Sequence, residues 1–95
     1  MKDEKTDIVN MHGHVKGGFL VLHAREYDHK EGDKYIYGSR DIAINPTNVI
    51  CIETHDNYTK IYFNDKEQED VYESLDEILD LLEKCNGNKM KHLNG

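Results

Sequence analysis

The sequence predicts a small α+β domain, in which four to six short antiparallel strands form a meander and one C-terminal amphipathic helix packs on the sheet. Short β-branched and aromatic runs alternate with polar turns across residues 19–72, a pattern typical of strands joined by tight connections. Apolar residues then recur with helical spacing after residue 74. A length of 95 residues suits a single domain.

The strands of the first half are predicted from alternation and from breaks. Leu20, Leu22 and Ala24 alternate with other residues, so they are the candidate core face of the first strand. The polar segment 28–33 is predicted to be a turn, and residues 38–39, Gly-Ser, to be a bulge or a second break. The predicted strands here are residues 19–27, 34–37 and 40–44.

The strands of the second half follow the lone proline. Pro46 lacks an N–H and biases the residue before it away from helix, so a strand should end there. Ile50 and Ile52 should then share one face of a strand, and Ile61 and Phe63 one face of the strand that pairs with it. The predicted strands here are residues 49–54, 59–63 and 70–72.

The helix has both a start signal and a stop signal. Ser74 is predicted to be the N-cap, and Glu77, three residues later, completes a capping box. Gly87 is predicted to be the residue at which the helix stops. The predicted core-facing stripe consists of Leu75, Ile78, Leu79 and Leu82.

These elements divide the chain into residues 1–17 as a flexible N-terminal arm or weak edge strand, 18–85 as the domain, and 86–95 as a C-terminal tail. No apolar stretch approaches the roughly 18–20 residues of a membrane span, so we expect a cytoplasmic protein without membrane contact. Cys51 and Cys85 are too few for a disulfide scaffold. They are predicted to be free thiols, the first buried in a strand.

The charge of the chain is strongly asymmetric. The formal net charge is −7, and the 47 residues from 49 to 95 carry eleven acids against five lysines. A negative chain cannot easily neutralise phosphates, so the charge counts against nucleic-acid binding.

Four short motifs lie between residues 44 and 82. They are Ile44-Asn45-Pro46, Ile52-Glu53, Asn64-Asp65 and Val71-Tyr72-Glu73-Ser74-Leu75-Asp76-Glu77-Ile78. In this order they resemble the small flagellar FlbD/SwrD-like family, whose members are also common in phage genomes. The resemblance implies a small β-meander plus helix that is non-catalytic and acts through other proteins.

A second, weaker likeness covers residues 52–61. The run of a strand, Ile52-Glu53, a polar turn, Tyr58-Thr59 and another strand is similar to the LytTR-type DNA-binding domain. That family continues past the helix into a basic and aromatic segment, which we do not expect in this protein. The likeness keeps a nucleic-acid-binding module open as an alternative.

Catalytic and metal motifs are weak in this sequence. His12-Gly13-His14 could hold a metal together with another histidine, but no standard set of ligands completes it. Cys51 and His55 would lie about 13 Å apart along one strand, beyond the reach of a hydrogen bond. We therefore predict no enzyme activity, no metal site and no cofactor.

Tyrosines and acids remain as the candidate interaction surface. Tyrosines on small sheets must often face away from the core, where each ring offers contact area at little cost in rotamer entropy. The sequence predicts a protein-interaction or regulatory module that forms homo-oligomers through sheet faces or edges. A phage-type inhibitor that binds a host protein or a small nucleotide stays open. The surface is predicted to comprise Tyr35, Tyr37, Tyr58, Tyr62, Tyr72, Glu73, Asp76 and Asp80.

Overall fold

The computed structural model describes residues 11–94, with side-chain surroundings for residues 11–85. A six-stranded sheet, antiparallel in every pairing, carries one C-terminal helix, which confirms the predicted α+β class. The strand order is β1-β2-β6-β5-β4. The strands β1 and β6 pair with successive parts of one edge of β2, and β3 pairs with the opposite edge. The elements are β1 (His14–Lys16), β2 (Phe19–Glu31), β3 (Lys34–Ile44), a 3-10 turn (Pro46–Asn48), β4 (Val49–Thr54), β5 (Thr59–Phe63), β6 (Gln68–Val71) and α1 (Leu75–Asn94).

The core lies between one face of the sheet and α1. The predicted inward residues of β2 are confirmed, since Leu20, Leu22 and Ala24 are at most 1% exposed. Their alternation with half-exposed neighbours shows that β2 has one buried face here. The buried apolar cluster consists of Leu20, Leu22, Ile44, Ile61, Val71, Ile78, Leu81 and Cys85.

The β2–β3 hairpin is longer and more regular than predicted. The break at residues 38–39 is wrong, because Gly38 pairs with Glu26 and Ser39 with Arg25 within one continuous ladder. The irregularity lies in β2 instead, between Tyr27 and His29. Glycine and serine weaken a strand, but a complete set of cross-strand pairs keeps them in it. The turn shortens to Gly32 (φ 61°) and Asp33.

A bulge in β4 overturns two predictions about its faces. The register with β5 shifts between Val49 and Cys51, so Val49 and Ile52 pack against the core. Ile50 is 65% exposed and Cys51 is exposed, whereas we predicted Ile50 to share a face with Ile52 and Cys51 to be buried. One extra residue in a strand moves the side chains that precede it to the opposite face from the one that simple alternation assigns them. The alternation of apolar residues does not show where such a bulge lies.

The helix begins as predicted and ends later. Ser74 Oγ accepts a hydrogen bond from the Glu77 N–H (3.1 Å), which confirms the N-cap. The helix continues to Asn94, so the predicted stop at Gly87 is wrong, while the division of the chain at residue 86 stays a prediction. A glycine inside a helix costs only about 1 kcal/mol relative to alanine, so it permits a stop without enforcing one.

The core stripe of α1 is rotated from the predicted one. Ile78, Leu81 and Cys85 are buried, whereas Leu79 is 47% exposed and Leu82 is partly buried. Apolar residues cover a wide arc of this helix, so several stripes fit the helical period equally well.

The segment before β2 is packed against the domain at Gly13. The Gly13 N–H donates to the Glu77 carboxylate (2.7 Å), so this carboxylate is used here and only the Ser74 half of the predicted capping box is seen. A Cβ on Gly13 would lie 2.6 Å from Leu22 Cδ2 and 2.8 Å from Val21 O, so this close approach requires glycine. Residues 1–10 of the predicted arm lie outside the described residues. Within the described residues, no helix has the length and apolar character needed to cross a membrane.

Candidate functional site

A row of aromatic rings in contact, with one guanidinium among them, crosses the face of the sheet opposite the helix. Tyr27 packs edge-on against both Tyr35 and Tyr37, with ring centroids 6.1 and 6.0 Å apart. The Arg25 guanidinium lies 3.6 Å from the centroid of Tyr37 and 5.0 Å from that of Tyr58. We call this set the aromatic row; it comprises Tyr35, Tyr27, Tyr37, Arg25, Tyr58 and His55.

Strand alternation places the row on the outer face. Arg25 and Tyr27 alternate with the buried Ala24, so their side chains lie opposite the core. Tyr37 is the direct cross-strand partner of Tyr27, and Tyr35 lies two residues before it on the same face. The row therefore begins on the hairpin and continues onto the body of the sheet.

The far end of the row is held by a small hydrogen-bonded group. The His55 ring stacks on Tyr58 with centroids 4.7 Å apart, and its Nε2 lies 3.1 Å from Glu53 Oε1. The Tyr62 hydroxyl donates to the same oxygen (3.1 Å). The hydrogen bonds from His55 and Tyr62 lower the pKa of Glu53 below its ordinary value. Desolvation, followed by the bond to Glu53, raises the pKa of Tyr62.

Arg25 is the distinctive charge of this surface. It is half-buried between two rings, and within the described residues it forms no ion pair with a carboxylate. Lys30, whose Nζ lies 5.1 Å from the centroid of Tyr35, likewise has no ion pair there. Lys60, by contrast, pairs with Asp70 at 3.0 Å, and this bond raises the pKa of Lys60. Arg25 within the row and Lys30 beside Tyr35 are therefore two cations that have no ion pair among the described residues.

The predicted tyrosines are distributed over more than one environment. Tyr35, Tyr37 and Tyr58 belong to the row, whereas Tyr62 is held by Glu53 beside it. The Tyr72 hydroxyl donates to the carbonyl oxygen of Gly38 (2.9 Å), which ties the sheet to the hairpin. The structure thus joins three of the five predicted tyrosines.

Glu73 was predicted to be part of the surface, and this prediction is wrong. Its side chain is fully buried and accepts hydrogen bonds from the His23 backbone N–H at 3.0 and 3.2 Å. Its Oε2 also lies 2.6 Å from His23 Nδ1, and His23 Nε2 lies 3.6 Å from Asp41 Oδ1. The side chain of the residue before a helix N-cap can lie in the core as readily as in solvent. The helical spacing of the acids therefore did not reveal the burial of Glu73.

The exposed side of α1 carries the predicted acids together with an apolar residue. Asp76 and Asp80 are exposed, as predicted, and so is Glu83. Leu79 lies among them at helical spacing and is 47% exposed. We call Asp76, Leu79, Asp80 and Glu83 the helix stripe.

A groove of about 480 Å³ lies where the last part of β3 faces the β5–β6 connection. Its lining includes the apolar residues Ile42 and Phe63, and its one arginine, Arg40, lies 3.5 Å from Glu26 and 3.7 Å from Glu69. Asp41 and Asp65 add further carboxylates to the lining. Because the cation is already paired, this lining does not favour a phosphate-bearing ligand.

The histidine motif near the N-terminus has a packing role. His12 Nδ1 lies 3.5 Å from Glu77 Oε2, and Gly13 is the close contact described above. Among the described residues, no group of three or more histidine, cysteine or acidic side chains is placed to hold a metal ion.

Sequence reasoning missed Arg25, Tyr27 and His55. The alternation that identified Leu20 and Leu22 as core residues also implies that Arg25 and Tyr27 share the other face, so a signal for these two was present. The contact between Arg25 and Tyr58 joins residues 33 positions apart, and no local pattern predicts it.

Comparisons with known proteins add no assignment: no family model, curated protein or solved structure matches the chain.

Proposed function

We propose that this protein is a non-enzymatic protein-interaction module that self-associates through the aromatic row. The observation that carries the proposal is the exposure of connected rings, since Tyr27 and Tyr35 are 54% and 59% exposed while in contact with each other. Rigid aromatic side chains next to arginine are the usual anchors of protein interfaces.

The hairpin supports the same proposal. Beyond Arg25, the described part of β2 pairs with β3 alone, and both faces of this two-stranded ribbon are largely exposed. A two-stranded ribbon is only marginally stable in water without a packing partner. Another protein surface laid on its tyrosines would supply that partner.

Mass measurements over a wide concentration range test the proposal. We expect light scattering and sedimentation to show assemblies for the wild type, and a single chain of 11.1 kDa for Tyr27→Ala with Tyr35→Ala. Ile50→Ala is the matched control, because Ile50 is an exposed apolar residue on the β4 edge, outside the row. A monomeric wild type, or an assembly lost only in the Ile50 variant, would overturn the proposal.

Four further predictions about the family, function and location of the protein remain part of this proposal. These are the FlbD/SwrD-like and LytTR-like resemblances, the phage-type inhibitor, and the cytoplasmic location. A gel shift with duplex DNA at ~100 mM salt tests the LytTR-like alternative directly, because tight binding at that salt is not expected of a chain with a net charge of −7.

A further inference from the structure

We propose that the partner of the aromatic row is the helix stripe of a second copy of this chain. This inference rests on the proposed self-association and names the surface that meets the row. It joins two exposed surfaces of the described chain, one with apolar area beside cations and the other with apolar area beside carboxylates.

The two surfaces are chemically complementary. The helix stripe places Leu79 among the carboxylates of Asp76, Asp80 and Glu83. The aromatic row places exposed rings beside Arg25 and Lys30, neither of which has a carboxylate partner in the described residues. Leu79 would cover a ring while neighbouring acids approach the two cations, so the contact would combine apolar burial with pairing of opposite charges.

The position of Arg25 over the Tyr37 ring leaves it able to bind a carboxylate. A guanidinium that lies over a ring can still donate hydrogen bonds from those of its five N–H groups that do not face the ring. The Tyr37 ring, whose centroid is 3.6 Å from the Arg25 guanidinium carbon, restricts the movement of this side chain before any partner arrives. A preoriented, partly desolvated arginine binds a carboxylate more favourably than a freely rotating surface lysine does.

The positions of the surfaces determine the type of assembly. The helix packs on the face of β2 that carries Leu20 and Leu22, whereas the row lies on the face that carries Arg25 and Tyr27. Because the two surfaces are on opposite sides of the sheet, one contact leaves a free row on one copy and a free stripe on the other. Such a head-to-tail contact produces rings or open chains rather than a closed two-fold dimer.

A complementation experiment tests this arrangement. The row variant is Arg25→Ser with Tyr27→Ala, and the helix variant is Leu79→Ala with Asp80→Lys. We expect each alone to be monomeric and to keep the wild-type circular dichroism spectrum. An equimolar mixture should form a species of twice the single-chain mass and nothing larger, because the intact stripe of one variant meets the intact row of the other.

The outcomes separate this inference from the proposed function. If the wild type is monomeric, self-association itself is wrong. If the wild type assembles but the helix variant assembles equally well, or the mixture stays monomeric, the stripe is not the partner and this inference is overturned. A single-stranded oligonucleotide is added to the wild type as a further arm, and dissociation of the assembly by it would assign the row to nucleic acid instead.

Discussion

The two halves of β2 differ in what surrounds them, although they form one continuous strand. In the first half, Leu20, Leu22 and Ala24 are at most 1% exposed beneath the helix. In the second half, every residue from Glu26 to Glu31 is exposed. The first half is flanked by β1, β3 and β6, whereas the second half has β3 as its neighbour in the described chain.

The contrast shows that strand formation and burial have separate causes in this protein. The cross-strand ladder with β3 runs through both halves, from Leu20 paired with Ile44 to Glu31 paired with Lys34. Burial requires, in addition, a second layer on the inner face, and the helix provides that layer only for the first half. The second half is thus available for contacts with other molecules.

The largest expected effect is a difference in the free energy of unfolding between two variants, one truncated in each half of β2. Leu22→Ala removes a fully buried side chain and should lower the free energy of unfolding by about 2–5 kcal/mol. Tyr27→Ala removes an exposed ring with two edge-on contacts and should cost about 0.5–1.5 kcal/mol. Urea unfolding of both variants, at concentrations where the protein is monomeric, measures the difference. Equal losses would contradict the division of β2 into a core half and a surface half.

A smaller loss of unfolding free energy is expected when the Glu73 carboxylate is removed, because it connects the buried half of β2 to the start of α1. Glu73→Ala leaves the His23 backbone N–H without its acceptor, and we expect a loss of about 1–3 kcal/mol. Glu73→Gln keeps one acceptor oxygen and should lose less. Asp80→Ala, an exposed acid on α1, is the control and should change stability by no more than about 0.5 kcal/mol at concentrations where the protein is monomeric. If the Glu73 and Asp80 variants unfold alike, the buried pair does not form in solution.

Local signals were sufficient for much of the fold. The strand at 59–63 and the cap at Ser74 follow from residues close together in sequence, and both lie where the patterns place them. The Asn-Pro step also ends β3 at Ile44, with Asn45 Oδ1 accepting from the Thr47 N–H (3.1 Å). Alternation, capping and proline geometry are all set within a few residues, which is why they can be read in advance.

The errors concern features that depend on distant partners. Cys51 is exposed because a bulge forms against β5, and Glu73 is buried because His23, fifty positions earlier, binds it. The candidate surface was predicted in part, since its tyrosines are evident in the sequence. Their connection through Arg25 depends on which strands lie side by side, and the sequence pattern does not specify that order.

The smallest expected effect concerns the tip of the ribbon, where His29 lies between two carboxylates. Its Nε2 is 2.9 Å from Glu31 and its Nδ1 is 2.8 Å from Asp28, and these hydrogen bonds raise the pKa of His29 above 6.5. The resulting stabilisation is fully present below pH 6.5 and is lost as the pH rises through the pKa of the folded state. An NMR titration should therefore show a lower His29 pKa in Glu31→Gln than in the wild type. Glu26→Gln, which alters a ribbon carboxylate that faces Arg40 instead, should leave it unchanged, and equal pKa values in all three proteins would mean that the ribbon tip is not ordered in solution.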